Sequence, residues 1–351
     1  MIIDAITYKK VRIPLKKPFI TALRRVDAVE SLRITLHADT GIDAVGEAPP
    51  TVAITGESMD SIEQTIAHRI APKLLHVNFP TMSAMLHALH TSSHHHTSAK
   101  AAVDMAIYRL YAQAVSQPLL HFIGGTQHHQ IETYVTISLN APQQMAADAI
   151  EAYRNGYHLL KIKVGSPDGK DCERILHVNR AVPQAKLIID ANQAWSYEQS
   201  ICIIDALHGI DIVAIEQPVI AHDTDALRAV TAYSPIDIIA DEAVFSLDDA
   251  QKIIATNGAD IINIKLMKCG GISKALEIIA LCRDHQIPCM MGSMLEGVSS
   301  IEAALHVAMA HRDVIQLVDL DSPILYETMP RHSVISCKER KLSITALDSS
   351  L

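Results

Sequence analysis

Long apolar runs are absent from this sequence: none approaches the ~20 residues that a membrane span requires, and the N-terminus lacks a basic segment followed by an apolar one. We therefore expect no membrane partner and a cytoplasmic location. A basic excess is absent too, because 30 Lys and Arg stand against 39 Asp and Glu. Nucleic-acid binding is usually marked by a basic patch with interleaved aromatic residues, so we expect no nucleic-acid partner.

The cysteines and histidines show no metal-binding or disulfide pattern. The six cysteines include no Cys-x-x-Cys pair, and we interpret them as free thiols that are mostly buried. Three consecutive histidines at 94–96 lie in a stretch rich in Ser and Thr. No His-x-x-x-His on a helical face accompanies them, which favours a solvated loop over a metal site. The sequence assigns this run no role.

The first third of the chain has the pattern of an α+β unit. Alternating apolar and polar residues predict three antiparallel strands, at 2–14, 31–37 and 44–48. Helical patterns follow at about 57–75, 80–91 and 98–115, the last with Thr97 or Ser98 as its N-cap. The polar and basic stretch 16–25 is predicted to be a loop of the kind that serves as a lid. Residues 1–125 are thus predicted to form one domain.

After Gly124-Gly125 predicted strands alternate with helices. The eight candidate strands are 132–138, 158–164, 186–190, 211–216, 236–241, 260–265, 287–292 and 314–319. A polar residue ends each of them, in the order Thr136, Lys163, Asp190, Glu216, Asp241, Lys265, Ser293 and Asp319. Eight parallel strands with intervening helices should close into a (β/α)8-type barrel, with these residues at the carboxyl-end mouth where such barrels carry out chemistry.

The pattern of the eighth helix is missing. Beyond Asp321 the chain has short strand-like pieces at 333–337 and 342–345, which we expect to fold back onto the N-terminal unit. The predicted organisation is α/β: a barrel over 126–321, and a second domain made of 1–125 with a C-terminal return over 322–351. Oligomeric state is left open, and a homo-oligomer is compatible with the sequence.

Three carboxylates end consecutive strands: Asp190, Glu216 and Asp241. Three acids this close do not all stay ionised without a cation, and an all-oxygen ligand set suits Mg²⁺. The alternative is that each caps the helix that follows it, which is common for one carboxylate in a βα loop. Three on successive strands, flanked by lysines, favour the metal site.

Lysines stand on both sides of these carboxylates. Lys161 and Lys163 are two apart in an apolar run, so in a strand both ammonium groups point to one face, and Lys265 ends the sixth strand. A metal-held substrate carboxylate between Lys163 and Lys265 would present its α-carbon to an amine on each side. One lysine then removes the α-proton to give a metal-stabilised enolate and the other returns a proton, which is a 1,1-proton transfer. Lys268 lies past the strand end and is interpreted as a loop residue or supporting partner.

These strand ends resemble a known family. The set Lys161-Ile162-Lys163, Asp190-Ala191-Asn192, Glu216-Gln217-Pro218, Asp241-Glu242 and Lys265 is similar to the enolase superfamily, muconate-lactonizing subgroup. The resemblance spans most of the chain and implies a modified TIM barrel, (β/α)7β, with an N-terminal α+β capping domain. Members of the subgroup share the metal and lysines but carry out racemisation, cycloisomerisation or dehydration.

Further stretches resemble the dipeptide epimerases, in particular the L-Ala-D/L-Glu epimerases. They are the loop 17–24, the segments 46–50 and 54–63, the segment 264–272, and Asp319-Leu320-Asp321. A carboxylate pair opposite the metal suits the ammonium group of a dipeptide, whereas a muconate or succinylbenzoate has no cation to match it. The resemblance implies an isomerase of cell-wall peptide metabolism that acts on the C-terminal residue of L-Ala-D/L-Glu-like dipeptides.

The resemblance also implies a role for each site residue. Lys163 and Lys265 would be the acid/base catalysts, and Asp190, Glu216 and Asp241 would bind Mg²⁺. Lys161 would hold the substrate carboxylate and lower the pKa of Lys163, and Asp319 with Asp321 would bind the substrate ammonium. Arg24 would meet an acidic side chain on the epimerised residue, although Arg25 beside it leaves a solvated loop arginine as the alternative. Thr136 and Glu296 are further candidates for lining the pocket.

One departure from the epimerase pattern concerns pocket size. After Glu296 the chain reads Gly297-Val298, where a polar residue and then a larger side chain are expected, and the C-terminal tail is short. Both features predict a wider pocket and leave the exact dipeptide specificity open. The alternatives to an epimerase are an o-succinylbenzoate synthase or muconate cycloisomerase, and a metal-binding barrel without activity.

Overall fold

A computed structural model describes residues 1–127, 130–331, 333–338 and 340–344. The last part of the predicted C-terminal return, 345–351, therefore lies outside the described residues. No helix in the described part of the chain combines the length and apolar character that crossing a bilayer requires. All six cysteines are unpaired, but only Cys282 and Cys289 are buried, so the prediction that the thiols are mostly buried is wrong.

The chain begins with a three-stranded antiparallel sheet in the order β1-β2-β3. Its strands are β1 (Ile3–Ile20), β2 (Arg25–Ala38) and β3 (Asp43–Ala48). The inner face of β2 is apolar at every second position, and Leu32, Ile34 and Leu36 are fully buried. Most of the predicted loop at 16–25 belongs to β1 and β2, because Phe19 pairs with Val26 and Ile20 with Arg25. Only the turn between these two strands lies outside them.

Six helices and one π-helical turn follow. They are α1 (Val52–Thr55), α2 (Met59–Thr65), the turn Ile66–Ile70, α3 (Ala71–Leu74), α4 (Met82–His90), α5 (Thr97–Ala114) and α6 (Leu119–Phe122). Helix α5 packs against the sheet so closely that a Cβ on Gly46 would overlap the Ala102 carbonyl group. The predicted N-cap at Thr97 or Ser98 is wrong, because the Glu57 carboxylate accepts the Ser98 and Ala99 N–H groups instead, at 2.8 and 3.1 Å.

The barrel prediction is confirmed: eight parallel strands form one sheet in sequence order. The strands are β5 (Val135–Ile137), β6 (Leu159–Lys163), β7 (Lys186–Asp190), β8 (Ile212–Glu216), β9 (Asp237–Ala240), β10 (Ile261–Lys265), β11 (Cys289–Gly292) and β12 (Ile315–Asp319). The connecting helices are α7 (Pro142–Arg154), α8 (Asp171–Ala181), α9 (Tyr197–Ala206), α10 (Thr224–Tyr233), α11 (Leu247–Ala255), α12 (Leu266–Cys269), α13 (Ile272–Asp284) and α14 (Val298–Ala310). The short α15 (Ser322–Leu325) stands where a full barrel has its eighth helix.

The two end strands of the barrel sheet are joined through the residues beside them. The Tyr134 N–H donates to the Val318 carbonyl at 2.9 Å, and the Leu320 N–H donates to the Thr133 hydroxyl at 2.8 Å. The lower barrel interior is filled by an apolar cluster of Tyr134, Ile188, Ala214, Ile239, Ile261 and Met290. Polar side chains are thereby confined to the carboxyl-end mouth above this cluster.

Two buried carboxylates of the N-terminal unit cap helices of the barrel. Asp104 accepts the Ser273 N–H at 3.2 Å at the start of α13, and Glu47 accepts the Ser299 N–H at 3.1 Å at the start of α14. Glycines make room for both carboxylates, because a Cβ on Gly271 would overlap Asp104 and a Cβ on Gly297 would overlap Glu47. These contacts hold the N-terminal unit over the barrel mouth.

The chain after β12 touches β1 and then forms a hairpin. The Glu327 N–H donates to the Pro14 carbonyl at 2.8 Å, and Tyr326 forms an isolated antiparallel β-bridge with Leu15. The hairpin strands β13 (Ile335–Lys338) and β14 (Lys341–Ile344) pair with β4 (Ile131–Glu132), which precedes the barrel, and not with β1 to β3. The predicted strand-like pieces thus do not pair with the N-terminal sheet, and residues 326–327 contact β1 instead.

Candidate active site

Strand register brings the predicted residues into one layer at the mouth. Lys163 pairs with Asp190 and Asp190 with Glu216, while Lys265 pairs with Gly292 and Gly292 with Asp319. The resulting pocket is lined by seven of the barrel residues proposed from the sequence, namely Thr136, Lys161, Lys163, Asp241, Lys265, Asp319 and Asp321. Asp190 and Glu216 are fully buried beside it.

The Lys161 ammonium lies at the centre of the carboxylates. Its Nζ is 3.0 Å from Asp190 Oδ2, 2.6 Å from Glu216 Oε2 and 2.7 Å from Asp319 Oδ2. Burial would lower the pKa of Lys161, but these carboxylates outweigh burial and raise the pKa well above its ordinary value. Lys161 is thus charged and paired with acids, and its expected effect on the pKa of Lys163 stays a prediction.

The two candidate catalysts are each held by one carboxylate. Lys163 Nζ is 2.5 Å from Asp190 Oδ2, and Lys265 Nζ is 2.7 Å from Asp241 Oδ2. Burial acts to lower the pKa of Lys265, and Asp241 acts against it and raises the pKa. Strands β6 and β10 are four places apart in the eight-stranded order, so the two lysines face each other across the mouth.

Lys268 supports this arrangement from within the barrel wall. Its side chain is buried, its Nζ is 2.7 Å from Asp241 Oδ1, and it donates to the carbonyl groups of Asp241 and Asn263. The interpretation as a supporting partner is therefore the one that the contacts favour. The loop interpretation is wrong, because α12 turns the side chain back under Asp241.

The site carries more carboxyl groups than its lysines neutralise. Burial and the neighbouring Asp190 carboxylate raise the pKa of Glu216, and burial and Asp241 raise that of Glu242. Two buried oxygens, Asn192 Oδ1 and Glu242 Oε2, have neither a hydrogen bond nor an ion pair within the described residues. Buried oxygen atoms with surplus negative charge are what a hard divalent cation requires.

The donor set therefore fits Mg²⁺, with Asp190, Glu216 and Asp241 as the residues that would hold it. In the described ranges, no three Asp, Glu, His or Cys side chains are already arranged to hold a metal ion. Lysine ammonium groups lie between the carboxylates instead. Glu242 and Asn192 stand next to this set and were not proposed from the sequence. The signal was present, since Glu242 follows Asp241 directly and Asn192 lies two residues after Asp190.

The turn between β1 and β2 covers the pocket and separates two adjacent arginines. Arg24 lines the pocket, and no ion pair or hydrogen bond of its guanidinium occurs with any residue that the structure describes. Burial lowers its pKa. Arg25 is exposed and lies 3.5 Å from Asp27. The solvated alternative thus applies to Arg25, and Arg24 is a half-buried cation whose guanidinium has no partner among the described residues.

The proposed ammonium site is partly formed. Asp321 Oδ2 accepts the Thr136 N–H at 2.7 Å, which leaves Asp321 and Asp319 side by side at the pocket wall. Burial and the Asp319 carboxylate raise the pKa of Asp321. Two adjacent carboxyl groups that resist ionising together favour a cation between them.

Glu296 does not line the pocket as proposed. Its carboxyl group is buried beneath the loop 293–297, where it accepts the Met294 N–H at 2.7 Å, and residues 293–295 form the wall instead. The wider pocket expected from Gly297-Val298 is also not found at that point. The space beside Gly297 is filled by the Glu47 carboxyl group, and Val298 is buried.

Known protein families match both the N-terminal and the C-terminal part of the chain. Residues 3–124 match the family described as "Mandelate racemase / muconate lactonizing enzyme, N-terminal domain", and residues 144–336 match "Enolase C-terminal domain-like". The L-amino acid-D/L-Glu epimerase of Sulfurimonas denitrificans is 45% identical, over 93% of this chain and 94% of that protein. The L-Ala-D/L-Glu epimerase of Bacillus subtilis is 41% identical, over 93% of this chain and 90% of that protein.

Solved structures of epimerases are also similar to this chain. The substrate-liganded complex of the L-Ala-D/L-Glu epimerase from Bacillus subtilis superposes with a TM-score of 0.94, covering 98% of this chain and 96% of that chain at 40% identity. The dipeptide epimerase from Enterococcus faecalis, complexed with Mg and L-Leu-L-Tyr, gives 0.92, covering 99% and 98% at 33% identity. This chain therefore belongs to the enolase superfamily, in its mandelate racemase and muconate lactonizing enzyme family.

Proposed function

We propose that this protein is a Mg²⁺-dependent dipeptide epimerase that inverts the C-terminal residue of L-Ala-D/L-Glu-like dipeptides. The observation that carries the proposal is the pair Lys163 and Lys265, held at strand ends on opposite sides of one pocket. A single acid/base group can exchange a proton on one face of a carbon. Inversion requires a second group on the other face, and the barrel supplies one.

Proton transfer is assigned to these two lysines. One lysine, as the neutral amine, takes the α-proton of the substrate's C-terminal residue and becomes an ammonium, and the other, starting as an ammonium, delivers a proton to the opposite face of the same carbon. When bound, Mg²⁺ would polarise the substrate carboxylate and balance the negative charge of Asp190, Glu216 and Asp241. Lys163 and Lys265 are both nearly fully buried, so little bulk water reaches either amine.

Recognition of a free N-terminus is assigned to Asp319 and Asp321. Both carboxyl groups lie at the pocket wall, and Asp319 is 2.7 Å from Lys161. A zwitterionic dipeptide matches this pair, since its carboxylate faces lysine and its ammonium faces aspartate. A substrate with carboxylates alone would bring no cation to this pair and would leave Asp319 with Lys161 only.

Preference for an acidic C-terminal residue is assigned to Arg24. Its guanidinium is half-buried without a partner in the described chain, which is costly unless a ligand supplies an anion. The side chain of a C-terminal Glu carries such an anion. The names of the two relatives described above support this assignment, because both specify D/L-Glu.

The proposal is tested by incubating the protein with L-Ala-L-Glu and Mg²⁺ and resolving the products by chiral chromatography. We expect an approach to an equal mixture of L-Ala-L-Glu and L-Ala-D-Glu. A screen of dipeptides with neutral and basic C-terminal residues measures the side-chain preference in the same assay. If no dipeptide is epimerised while o-succinylbenzoate or a muconolactone forms from the corresponding substrates, the proposal is wrong.

A further inference from the structure

The loop between β11 and α14, residues 293–297, forms one wall of the pocket but contains no proposed catalyst. Ser293, Met294 and Leu295 line the pocket directly. The underside of the loop is held by two buried carboxyl groups, those of Glu296 and Glu47. Neither group touches the pocket, and the proton transfer described above does not use them.

Glu296 ties the loop to its own helix. Its Oε1 accepts the Met294 N–H at 2.7 Å, and its Oε2 is hydrogen-bonded to the Ser300 hydroxyl one turn into α14. The side chain therefore spans the loop from Met294 to the first turn of the helix. Without it the Met294 N–H would be a buried donor with no partner in the described chain.

The backbone of Glu296 ties the loop to the ammonium site. Its N–H donates to the Ser322 hydroxyl at 3.1 Å, and its carbonyl accepts the Tyr326 hydroxyl. Ser322 directly follows Asp321, the residue assigned to the substrate ammonium. Any shift of Glu296 is thereby passed to the wall residues on one side and to Asp321 on the other.

Glu47 fixes the far end of the same loop from the N-terminal unit. Its carboxylate receives hydrogen bonds from the Ser31 hydroxyl, from Arg33 at 3.4 Å and from the Ser299 N–H at 3.1 Å. It fills the space where a side chain at Gly297 would stand. Glu47, which accepts from three donors, thus holds one end of the loop, and Glu296, which has two hydrogen-bond partners, holds the other.

Within the part of the chain that the structure describes, no cation is in contact with the Glu296 carboxyl group. The charged groups that face it are Lys265 and Glu47, and burial raises its pKa to about 7. A neutral carboxyl group can both donate and accept a hydrogen bond. It therefore suits the two partners of Glu296, the Met294 N–H donor and the Ser300 hydroxyl. A glutamine side chain offers the same donor and acceptor in the same shape.

We propose that Glu296 is a positioning residue that sets the pocket wall 293–295 and the Asp321 segment for substrate binding, with Glu47 holding the opposite end of the loop. The inference rests on the proposed function for its kinetic consequence, but its structural consequence is independent of it. Glu296 acts on how tightly the dipeptide is bound, and not on the lysines that move the proton.

The structural test is amide hydrogen exchange, measured by mass spectrometry on wild type, Glu296→Ala, Glu296→Gln and Glu302→Gln. Glu302 is a matched control, since it is a largely buried carboxylate on α14 that pairs with Arg109 and does not touch the loop. We expect Glu296→Ala to speed exchange in peptides that cover 293–297 and 319–322 by about tenfold or more. Glu296→Gln and Glu302→Gln should leave both segments protected.

The kinetic test uses L-Ala-L-Glu with the same variants. Glu296→Ala should raise KM about tenfold with kcat changed less than about threefold, and Glu296→Gln should restore the wild-type KM. The inference would be overturned if amide exchange in Glu296→Ala were the same as in wild type. It would also be overturned if Glu296→Gln and Glu296→Ala changed exchange and KM equally. If Glu296→Ala does not fold, Ser300→Ala, which removes one of the two partners, must show the same exchange pattern. Wild type inactive on every dipeptide refutes the proposed function, and the exchange data then decide this inference alone.

Discussion

The Lys161 ammonium and the Asp319 carboxylate form a buried ion pair at 2.7 Å, although the two residues are assigned to opposite ends of the substrate. A dipeptide zwitterion can replace both partners at once, which keeps every buried charge matched. A ligand that brought only a carboxylate to Lys161 would draw this ammonium from Asp319 and supply no cation in its place.

The first prediction is that N-acetyl-L-Ala-L-Glu is a poor substrate. Acetylation removes the ammonium that Asp319 and Asp321 would bind, and hydrogen bonds to charged groups contribute about 1.5–3 kcal/mol, so kcat/KM should fall at least about tenfold. Asp321→Asn should cause a similar loss for L-Ala-L-Glu but a smaller one for the acetylated peptide. Asp225→Asn, an exposed change on α10, serves as the control. Equal rates with both peptides would contradict the ammonium assignment.

The second prediction concerns Arg24. Arg24→Met keeps the apolar part of the side chain and removes the charge, so KM for L-Ala-L-Glu should rise by the equivalent of about 1.5–3 kcal/mol. Dipeptides with a neutral C-terminal residue should be affected far less, because they offer no anion. Arg25→Met is the matched control, since Arg25 is exposed and paired with Asp27. A uniform loss across all dipeptides would refute a specificity role for Arg24.

The third prediction is a pH dependence of stability caused by Glu296. Burial raises its pKa to about 7, above the value of an unfolded glutamate, so the neutral form is favoured in the folded protein. Its contribution is present below about pH 4.5 and is lost as pH rises through about 7. Glu296→Gln has no such loss.

Urea unfolding at pH 5 and pH 8 measures this difference. Relative to Glu296→Gln, wild type should lose up to about 3 kcal/mol of unfolding free energy between the two pH values. Glu302→Gln controls for other groups that titrate in the same range. A difference between wild type and Glu296→Gln that does not change with pH would show that Glu296 is ionised at both.

The fourth prediction is that Mg²⁺ binds at Asp190, Glu216 and Asp241. Adding Mg²⁺ to chelator-treated protein should raise its melting temperature, because a ligand of the folded state stabilises it. Asp241→Asn should weaken Mg²⁺ binding at least about tenfold in calorimetry, since it removes a charged oxygen ligand. Asp225→Asn should bind as wild type does. Activity that survives complete chelation would contradict a Mg²⁺-dependent reaction.

The regular part of this molecule was predictable from sequence because its signals are local. Each barrel strand is an apolar run that ends in a polar residue, so strands β5 to β12 fall within a few residues of their predicted places. The same regularity brings Lys163, Asp190 and Glu216 together, because parallel strands end at one edge. Position in a repeating unit is enough to predict such a site.

Contacts between distant segments were not predictable in this way. Glu57 caps α5 from about 40 residues away, and Glu47, on β3 of the N-terminal sheet, caps α14 of the barrel. Glycine at 297 looks like an opening when neighbouring residues alone are considered, and the structure fills it with Glu47. Likewise, which of Arg24 and Arg25 enters the pocket depends on how the β1–β2 turn lies over the barrel. Such contacts follow from tertiary packing, which local patterns do not encode.

The most direct test of the two-sided mechanism is deuterium exchange by Lys163→Ala and Lys265→Ala in D₂O with Mg²⁺. Proton NMR of the C-terminal α-proton is recorded separately for L-Ala-L-Glu and L-Ala-D-Glu, with the exposed Lys252→Ala as control. Each lysine faces one side of the carbon, so each variant should retain exchange with one epimer only, and the retained epimer should differ between them. Equal residual exchange of both epimers in both variants would contradict the mechanism.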